Sequence, residues 1–573
     1  MNDQTGAHDS LAQNSKSGNE LIFTALGGLG EIGMNLYLYG LGPPEARRWL
    51  MVDLGLTFPG DSEPGVDVVL PDLRFIIENR QALDGIVITH AHEDHIGAVI
   101  DSWPDLRTPI YGTPFTIGML RSKLAEYGGD LKPEIHEIQT DSRFTVGAFD
   151  LETVSMAHSI PETSALVIRT PLGLVFHTAD WKLDEHPLVG RPTNIERIQE
   201  IGREGVLAVV CDSTNAFREG TSPSETEVAA SLLDIIKEQP GQVAVTTFAS
   251  NVARVRAVSD AAQATGRRFL VAGRALHRVI QVAIDTGYLP EDFSYLDQEH
   301  FGYMERGEAL ILATGSQGEP RAAMARIAEH SHRDIELTRG DTVIYSSRTI
   351  PGNEKSVLAV QNRLADLGCK IITDADGLVH VTGHPRRDEL VRMFSWLKPE
   401  KLVPMHGEIR HLQENARLAR ECAISDVRYI TNGNLLRLAP GPLDVIDDVP
   451  VGRRYRDGRL LLHEGESAVR ERRRLSVVGL VAVAITVDQR GNVLGDADVA
   501  IDGIPTEDAD GDAMEDIILD AVDGTIDSIP PRRRKDPELL REAIRRAVRA
   551  AVDEVWGKKP IVKVLLNQLR IKG

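Results

Sequence analysis

Cysteine is scarce in this 573-residue chain: there are three, Cys211, Cys369 and Cys422, far apart and in no CxxC pair. That excludes a disulfide framework and fits a reducing compartment. Long apolar runs are missing too. The longest, "VVGLVAVAITV" at 477–487, falls short of the about 20 residues that span a bilayer. The opening "MNDQTGAHDSLAQNSKSGNE" has no apolar core of a signal peptide and reads as a disordered tail. A cytoplasmic protein with no membrane partner is expected. Positive charge is in deficit, 64 Lys and Arg against 85 Asp and Glu, for a net charge of −21. This leaves no global basic footprint for nucleic acid. An enzyme can still gather positive charge in one cleft or supply it as metal ions. No internal repeat is visible. The length predicts about three or four domains.

The pattern of short runs divides the chain further. From Leu21 to about Ser222, β-rich segments such as "RWLMVDLG", "GIVITH" and "LGLVFHTAD" end directly in polar residues, as strands do when they deliver side chains to a site. Over 223–365 the rhythm becomes helix and strand in alternation ("SETEVAASLLDIIKEQ", "QVAVTTF", "NVARVRAVSDAAQATG", "RFLVAG"), which predicts a parallel sheet. Residues 366–450 return to mixed strand and helix, 451–474 read as a linker with a turn, and 475–573 as a small C-terminal domain. In that domain two strands flank the helical "PELLREAIRRAVRAAVDEVWG", and the acidic "EDADGDAMED" reads as a loop.

"GGLGEIG" spells G-x-G-x-x-G with Gly28, Gly30 and Gly33. A dinucleotide fingerprint needs a helix next. The alternating "MNLYLYG" that follows predicts a strand, so the glycines read as a turn. The informative stretch is "ITHAHEDHIGA" at 88–98, a buried-strand pattern running straight into histidine and carboxylate. In an extended segment i and i+2 face the same way, so His90 and His92 reach one point together. Asp94 and His95 follow as the chain turns, towards a second point. Imidazole and carboxylate suit zinc or manganese. "MAHSIPE", "VFHTADWK" and "VPMHGE" then place His158, Asp180 and His406 at the ends of further strands.

His90-x-His92-x-Asp94-His95, followed in order by His158, Asp180 and His406, resembles the metallo-β-lactamase-fold hydrolases. The resemblance implies His90, His92 and His158 on one metal, Asp94, His95 and His406 on the other, and Asp180 bridging. Asp53 in "WLMVDLG" matches a residue that orients the histidine loop. The insertion between Asp180 and His406 resembles the β-CASP subgroup, whose substrates are nucleic acids. "ALGGLGEIGMN", "CDSTNA", "ATGSQGEP", "SSRTIPGNE", "HVTGH" and "MHGEIRH" together resemble the bacterial ribonuclease J family over about residues 20 to 410. "TADWK", "HSIPE", "SNVAR" and "GRALHR" depart from its pattern without removing a metal ligand.

The resemblance implies a metallo-β-lactamase αββα sandwich interrupted by a β-CASP domain with a parallel sheet, plus a small α+β C-terminal domain. It implies two zinc ions, with manganese or magnesium as alternatives, and hydrolysis of RNA by 5′→3′ exonuclease and endonuclease action in RNA maturation and decay. Asp212 is then the proton donor and His384 the acceptor. Ala249, Ser250 and Asn251 in "FASN", and His380, Val381, Thr382, Gly383 and His384 in "HVTGH", are the expected phosphate-binding segments. A structural calcium is implied between "EPGVD" and Asp457. Expected partners are 5′-monophosphorylated RNA, a second copy in a homodimer or a tetramer, and an RNA-degradation complex.

Three rival functions fit the sequence less well. A small-molecule metallohydrolase does not account for the insertion or His384. A DNA or RNA 3′-end nuclease of the same subgroup usually carries other appended domains. A non-catalytic RNA scaffold has no need of every ligand.

Overall fold

The computed structural model describes residues 18–128 and 131–569. The expected N-terminal tail lies, up to residue 17, outside the described residues, and the first strand begins at Glu20. The chain forms two compact units. One comprises the chain through Phe58 together with Val68–Arg454, the other Pro59–Asp67 together with Tyr455 onward. No helix among the described residues is long and apolar enough to cross a membrane.

In the first unit, two sheets pack face to face. One has eight strands among the described residues, in the order Asp444–Asp448, Asn434–Ala439, Glu20–Gly27, Leu36–Gly42, Arg48–Val52, Leu83–Val87, Ile110–Gly112 and Ile135–Glu137. The other has seven: Asp426–Val427, Lys401–Met405, Ala208–Asp212, Gly173–His177, Ser164–Thr170, Phe149–Ser155 and Arg143–Val146. Phe23, Tyr39, Leu50 and Val52 of the first meet Leu151, Ile168, Val175, Val210 and Val403 of the second in one buried cluster. Burying each such side chain contributes about 1.5–3 kcal/mol. Behind the second sheet, helices Ile195–Glu204, Arg387–Leu397 and Ile409–Glu421 bury Ile201, Phe394 and Leu418. Helices Val99–Leu106 and Pro114–Tyr127 follow strands of the first sheet. This is the αββα sandwich.

Between Asp212 and Lys401 the chain builds a separate six-stranded sheet, parallel at every pairing. Its order is Leu296–Asp297, Arg268–Ala272, Ala309–Ala313, Val243–Thr246, Thr342–Tyr345 and Lys370–Ile372. Val245 joins one helix-covered core and Ala244 the other, which is why these strands read as unbroken apolar runs. The helix Glu225–Lys237 starts with a capping box: Glu227 accepts from the Ser224 backbone N–H, and Ser224 Oγ accepts from the Thr226 N–H. The edge strand Lys370–Ile372 lies beyond the expected break at 365. At three residues it is too short to carry a period.

In the second unit, the strand Leu480–Asp488 lies between Asp498–Asp502 and Ile561–Leu569. Helices Met514–Ser528 and Pro537–Trp556 cover one face, burying Val481, Val483, Ile485 and Val487. Leu480, Ala482 and Ala484 on the other face remain half-buried, and Leu565 beside them is 59% exposed. The stretch expected to be a linker holds strands Arg453–Asp457 and Leu460–His463 and the start of a helix, Ser467–Val478, which runs through the expected boundary at 475.

Candidate metal centre and substrate cleft

The polar-ended strands deliver their side chains to one rim of the sandwich. His90 and His92 follow Leu83–Val87, His158 follows Phe149–Ser155, Asp180 follows Gly173–His177, Asp212 ends Ala208–Asp212, and His406 follows Lys401–Met405. Asp53, Ala179 and His406 sit at φ of 62°, 52° and 51°, left-handed backbone that costs of order 1–3 kcal/mol at a non-glycine residue. Such turns aim a side chain sideways off a strand end. The loop of Asp94 and His95 is held by backbone bonds: Leu54 N–H donates to the His95 carbonyl (2.7 Å) and Asn35 N–H to the Asp94 carbonyl (2.9 Å). Gly55 permits this contact, since a Cβ there would lie 1.7 Å from the Asp94 carbonyl oxygen.

Ligand-type atoms of His90, His92, His158 and Asp180 lie within 4.8 Å of one another, and so do those of Asp94, His95, Asp180 and His406. In the first group, His90 Nε2 and His158 Nε2 each stand 3.1 Å from His92 Nδ1. The far sides of the rings fix which nitrogens carry protons. His158 Nδ1–H donates to the Gly383 carbonyl (2.6 Å). Thr89 Oγ1–H donates to Asp53 (2.9 Å) and therefore accepts from His90 Nδ1–H (3.0 Å). Both Nε2 atoms then point lone pairs at His92, an arrangement that fits a shared cation. Burial is the main reason that His90 and His158 are held well below the usual histidine pKa and His92 falls to about 4, so all three are neutral imidazoles, the form that binds metal.

The second group is richer in carboxylate. His95 Nδ1–H donates to Asp53 Oδ2 (2.7 Å), and His406 Nδ1–H donates to Thr214 Oγ1 (2.7 Å), which in turn donates to the His406 carbonyl. Their Nε2 atoms face Asp180 Oδ2 at 3.3 and 3.6 Å. Burial pulls His406 down, but Asp180, Asp94 and Asp212 outweigh it and push it up to about 9. This pocket calls for positive charge. Asp180 Oδ2 also stands 3.9 Å from His90 Nε2 and 3.8 Å from His158 Nε2, so the carboxylate lies between the groups. Its Oδ1 is buried without a hydrogen-bond partner. An orphaned carboxylate oxygen among convergent lone pairs fits a pair of bound cations.

His384 Nδ1 lies 2.8 Å from Asp212 Oδ2 and 3.9 Å from Asp180 Oδ2. Burial opposes a charge on His384, but Asp212 and Asp180 prevail and hold its pKa above the ordinary value. Asp212 Oδ1 accepts from the Thr214 N–H, which fixes the carboxylate. The segments "FASN" and "HVTGH" meet, with the Phe248 and His380 rings 6.4 Å apart. Gly383 is where the second closes on the centre: a Cβ would lie 2.5 Å from the His158 ring. Thr382 Oγ1 accepts from Asn215, while Ala249, Ser250 and Thr382 remain partly open. Val381 is buried. Asn251 is also buried and its side-chain oxygen caps the helix Val252–Thr265 by accepting from Arg254 N–H (2.9 Å), so that oxygen is engaged within the protein. Asp457 is ion-paired with Arg472 and belongs to none of the convergent His/Asp groups among the described residues.

Some contributors have no signal in the sequence reading. Asn35, in the glycine-rich stretch, reaches Asp94 Oδ2 (3.3 Å) and His95 Nε2 (3.0 Å), with its Oδ1 accepting from Tyr37. A Cβ at Gly28 would lie 2.4 Å from that Oδ1, which explains a glycine there without any nucleotide. Arg254 is fully buried, paired with Glu225 (2.7 Å) and donating to the Val379 carbonyl just before "HVTGH".

Four family models match the chain: "Beta-lactamase superfamily domain" over 59–195, "Ribonuclease J, beta-CASP domain" over 240–364, "Zn-dependent metallo-hydrolase RNA specificity domain" over 373–428, and "Ribonuclease J C-terminal domain" over 467–569. Ribonuclease J of Sinorhizobium meliloti is 51% identical over 98% of this chain and 99% of its own length. Ribonuclease J of Mycolicibacterium smegmatis is 37% identical over 95% of this chain and 96% of its own. That of Thermus thermophilus is 38% identical over 80% and 81%. A two-sheet sandwich interrupted by a parallel-sheet insertion, a double His/Asp cluster at the sandwich rim and full-length relatives agree, and the chain belongs to the ribonuclease J family of metal-dependent RNA hydrolases.

Proposed function

We propose that His90, His92 and His158 hold one zinc ion, that Asp94, His95 and His406 hold a second, and that Asp180 bridges them, with manganese or magnesium as alternative metals. Bound metals supply Lewis acidity towards a phosphoryl oxygen and acidify water, which suits in-line displacement at phosphorus. The observation that carries the reading is the position of Asp180 Oδ2 within 3.9 Å of the Nε2 atoms of His90, His158, His95 and His406. Asp212 and His384 act as a pair, passing a proton along their hydrogen bond to or from the oxygens that enter and leave phosphorus. The backbone of "HVTGH" and the open edge of "FASN" hold the sugar–phosphate chain.

The substrate is RNA, preferably 5′-monophosphorylated, cut by 5′→3′ exonuclease and endonuclease action in RNA maturation and decay in the cytoplasm. The protein works as a homodimer through its C-terminal domain, and pairs of dimers and an RNA-degradation complex are its larger assemblies. A structural calcium between "EPGVD" and Asp457 would share that carboxylate with Arg472.

The test joins metal analysis with cleavage of 5′-monophosphorylated and 5′-triphosphorylated RNA. Two metal equivalents and faster turnover of the monophosphate are expected. Asp180→Ala loses both metal and turnover. An Asp180→Ala protein with full metal content and wild-type turnover would rule the bridging role out.

A further inference from the structure

We infer that Arg348, Arg386 and Arg218 form a cradle for a backbone phosphate of the RNA, next to the Asp212–His384 pair. The inference rests on the ribonuclease reading and adds to it a recognition site outside the metal groups. The three arginines come from separate segments that meet beside His384. Asn215 links them: its Nδ2 donates to Thr382 Oγ1 (2.9 Å) and the His384 carbonyl (3.3 Å), and its Oδ1 accepts from Arg348 Nη1 (3.4 Å). Arg218 N–H donates to the Asn215 carbonyl (2.8 Å), and the Arg218 carbonyl accepts from Arg387 N–H (2.8 Å). Arg386 lies two positions after His384 in "GHPRR".

Among the described residues none of the three guanidinium groups is held in a close ion pair, and Arg386 Nε is buried without a hydrogen-bond partner. The nearby Glu389 carboxylate is taken by the backbone N–H groups of Leu183, Ser222 and Arg386 itself, and forms no ion pair with the Arg386 guanidinium. Arg387, the next residue, is the contrast: it is paired with both Glu414 and Glu421. Burial, Arg218 and Arg386 together depress the pKa of Arg348, with Asp374 opposing. Like charges are thus held together in a chain whose net charge is −21, a costly arrangement unless a polyanion completes it. Planar guanidinium groups suit phosphate oxygens, and Phe217, next to Arg218 in the chain, is 50% exposed with its ring edge-on to His411, leaving area for a base to stack on. A single-stranded phosphodiester chain fits both features.

The test uses the full-length, metal-loaded protein and a short 5′-monophosphorylated single-stranded RNA, with kcat and KM measured across a salt series. Arg348→Gln and Arg386→Gln are each expected to raise KM roughly tenfold or more, as for a lost hydrogen bond to a charged group. Each should also flatten the plot of log(kcat/KM) against log[salt] by up to about 0.7, the share of one phosphate on a single strand. The Lys variants at both positions should keep the slope, and Arg387→Gln should leave it at the wild-type value. Wild-type KM and slope in both Gln variants would overturn the cradle, and so would an equal flattening by Arg387→Gln. A wild-type protein that turns over no RNA would overturn the ribonuclease reading with it, whereas an active wild type with unaffected variants overturns the cradle alone.

Discussion

Asp53→Asn is a one-atom change that reverses two proton chains. Asp53 is fully buried; Oδ1 accepts from Thr89 N–H (2.8 Å), while Oδ2 accepts from Thr89 Oγ1–H (2.9 Å) and His95 Nδ1–H (2.7 Å). The asparagine oxygen must stay with the Thr89 N–H, so the amide NH₂ takes the place of Oδ2. It then donates where it formerly accepted. His95 must shift its proton to Nε2, the atom that faces Asp180 and Asp94. Thr89 Oγ1, now an acceptor from the amide, turns its own proton towards His90 Nδ1, which moves the His90 proton to Nε2 as well. One ligand in each group is left in the wrong tautomer. Loss of such an orienting partner weakens metal binding by roughly 10–100-fold, and here the loss applies to both groups. Zinc affinity, measured by competition with a chromophoric chelator, should fall at both sites, and turnover should fall with it. His95→Ala should weaken the second site far more than the first, and Thr89→Val the first site alone. A thermal melt checks that each variant is folded. Asp53→Asn with wild-type affinity at both sites, or with one site untouched, would refute the proton chains.

Four further outcomes are expected. His384→Ala should lower kcat on RNA by roughly 10²–10⁴-fold with metal content unchanged, since acid–base partners contribute in that range; loss of metal in this variant would make His384 a ligand. Gly55→Ala would place a Cβ 1.7 Å from the Asp94 carbonyl oxygen, and a shift of the loop by an ångström is enough to cost about 10²-fold in turnover, read by kinetics on the folded protein. Glu225→Gln leaves Arg254 unpaired and should destabilise the protein by about 3–5 kcal/mol in a denaturant titration. Burial raises the Glu225 pKa, but Arg254 prevails and holds it below its ordinary 4.5, so its stabilisation is present above that pH and fades below it; acid should destabilise the Gln variant less steeply than wild type. Leu565→Lys, on the open sheet face of the C-terminal unit, should convert a dimer to monomer in sedimentation with metal content retained, and a monomeric wild type at micromolar concentration would remove the basis for that expectation.

What could be read from the chain was what local pattern fixes. An apolar strand ending in His90, His92, Asp94 and His95 announced both the strand and its use, because few residues besides ligands justify such a density at a strand end. The start of the helix Glu225–Lys237 is written as locally, in Ser224 and the acidic residues that follow it. The acidic stretch expected to be a loop, 507–516, runs into the helix Met514–Ser528: its acidic residues mask the helical spacing of Met514, Ile518, Val522 and Ile526. Residues that act at long range left no local mark. Arg254 is an ordinary arginine within a helix until Glu225 and the Val379 carbonyl meet it across the fold. Asn35 was hidden by its glycine neighbours, which spell a different motif and serve to clear space around it. Asp457 shows the same limit: an aspartate in a turn says nothing of the arginine, here Arg472, that packs against it.

The charge balance of the whole chain and its substrate are reconciled by distance. Net charge is a sum over a surface far larger than the screening length, which is about 8 Å at physiological ionic strength. A phosphate entering the cleft responds to what lies within that radius. Three unpaired arginines stand beside the Asp212–His384 pair there, and the lone pairs of five histidines and the carboxylates of Asp94 and Asp180 converge where cations bind. The acidic remainder is felt only when screening weakens, near about 30 Å at 10 mM salt. There its repulsion opposes the pull of the cradle, so the salt dependence of this enzyme should bend over at low ionic strength, where that of a uniformly basic nucleic-acid binder keeps rising. The deficit of lysine and arginine therefore weakens adhesion of RNA to the surface at large and leaves the pull on a phosphate to the arginines and cation-binding groups beside Asp212 and His384.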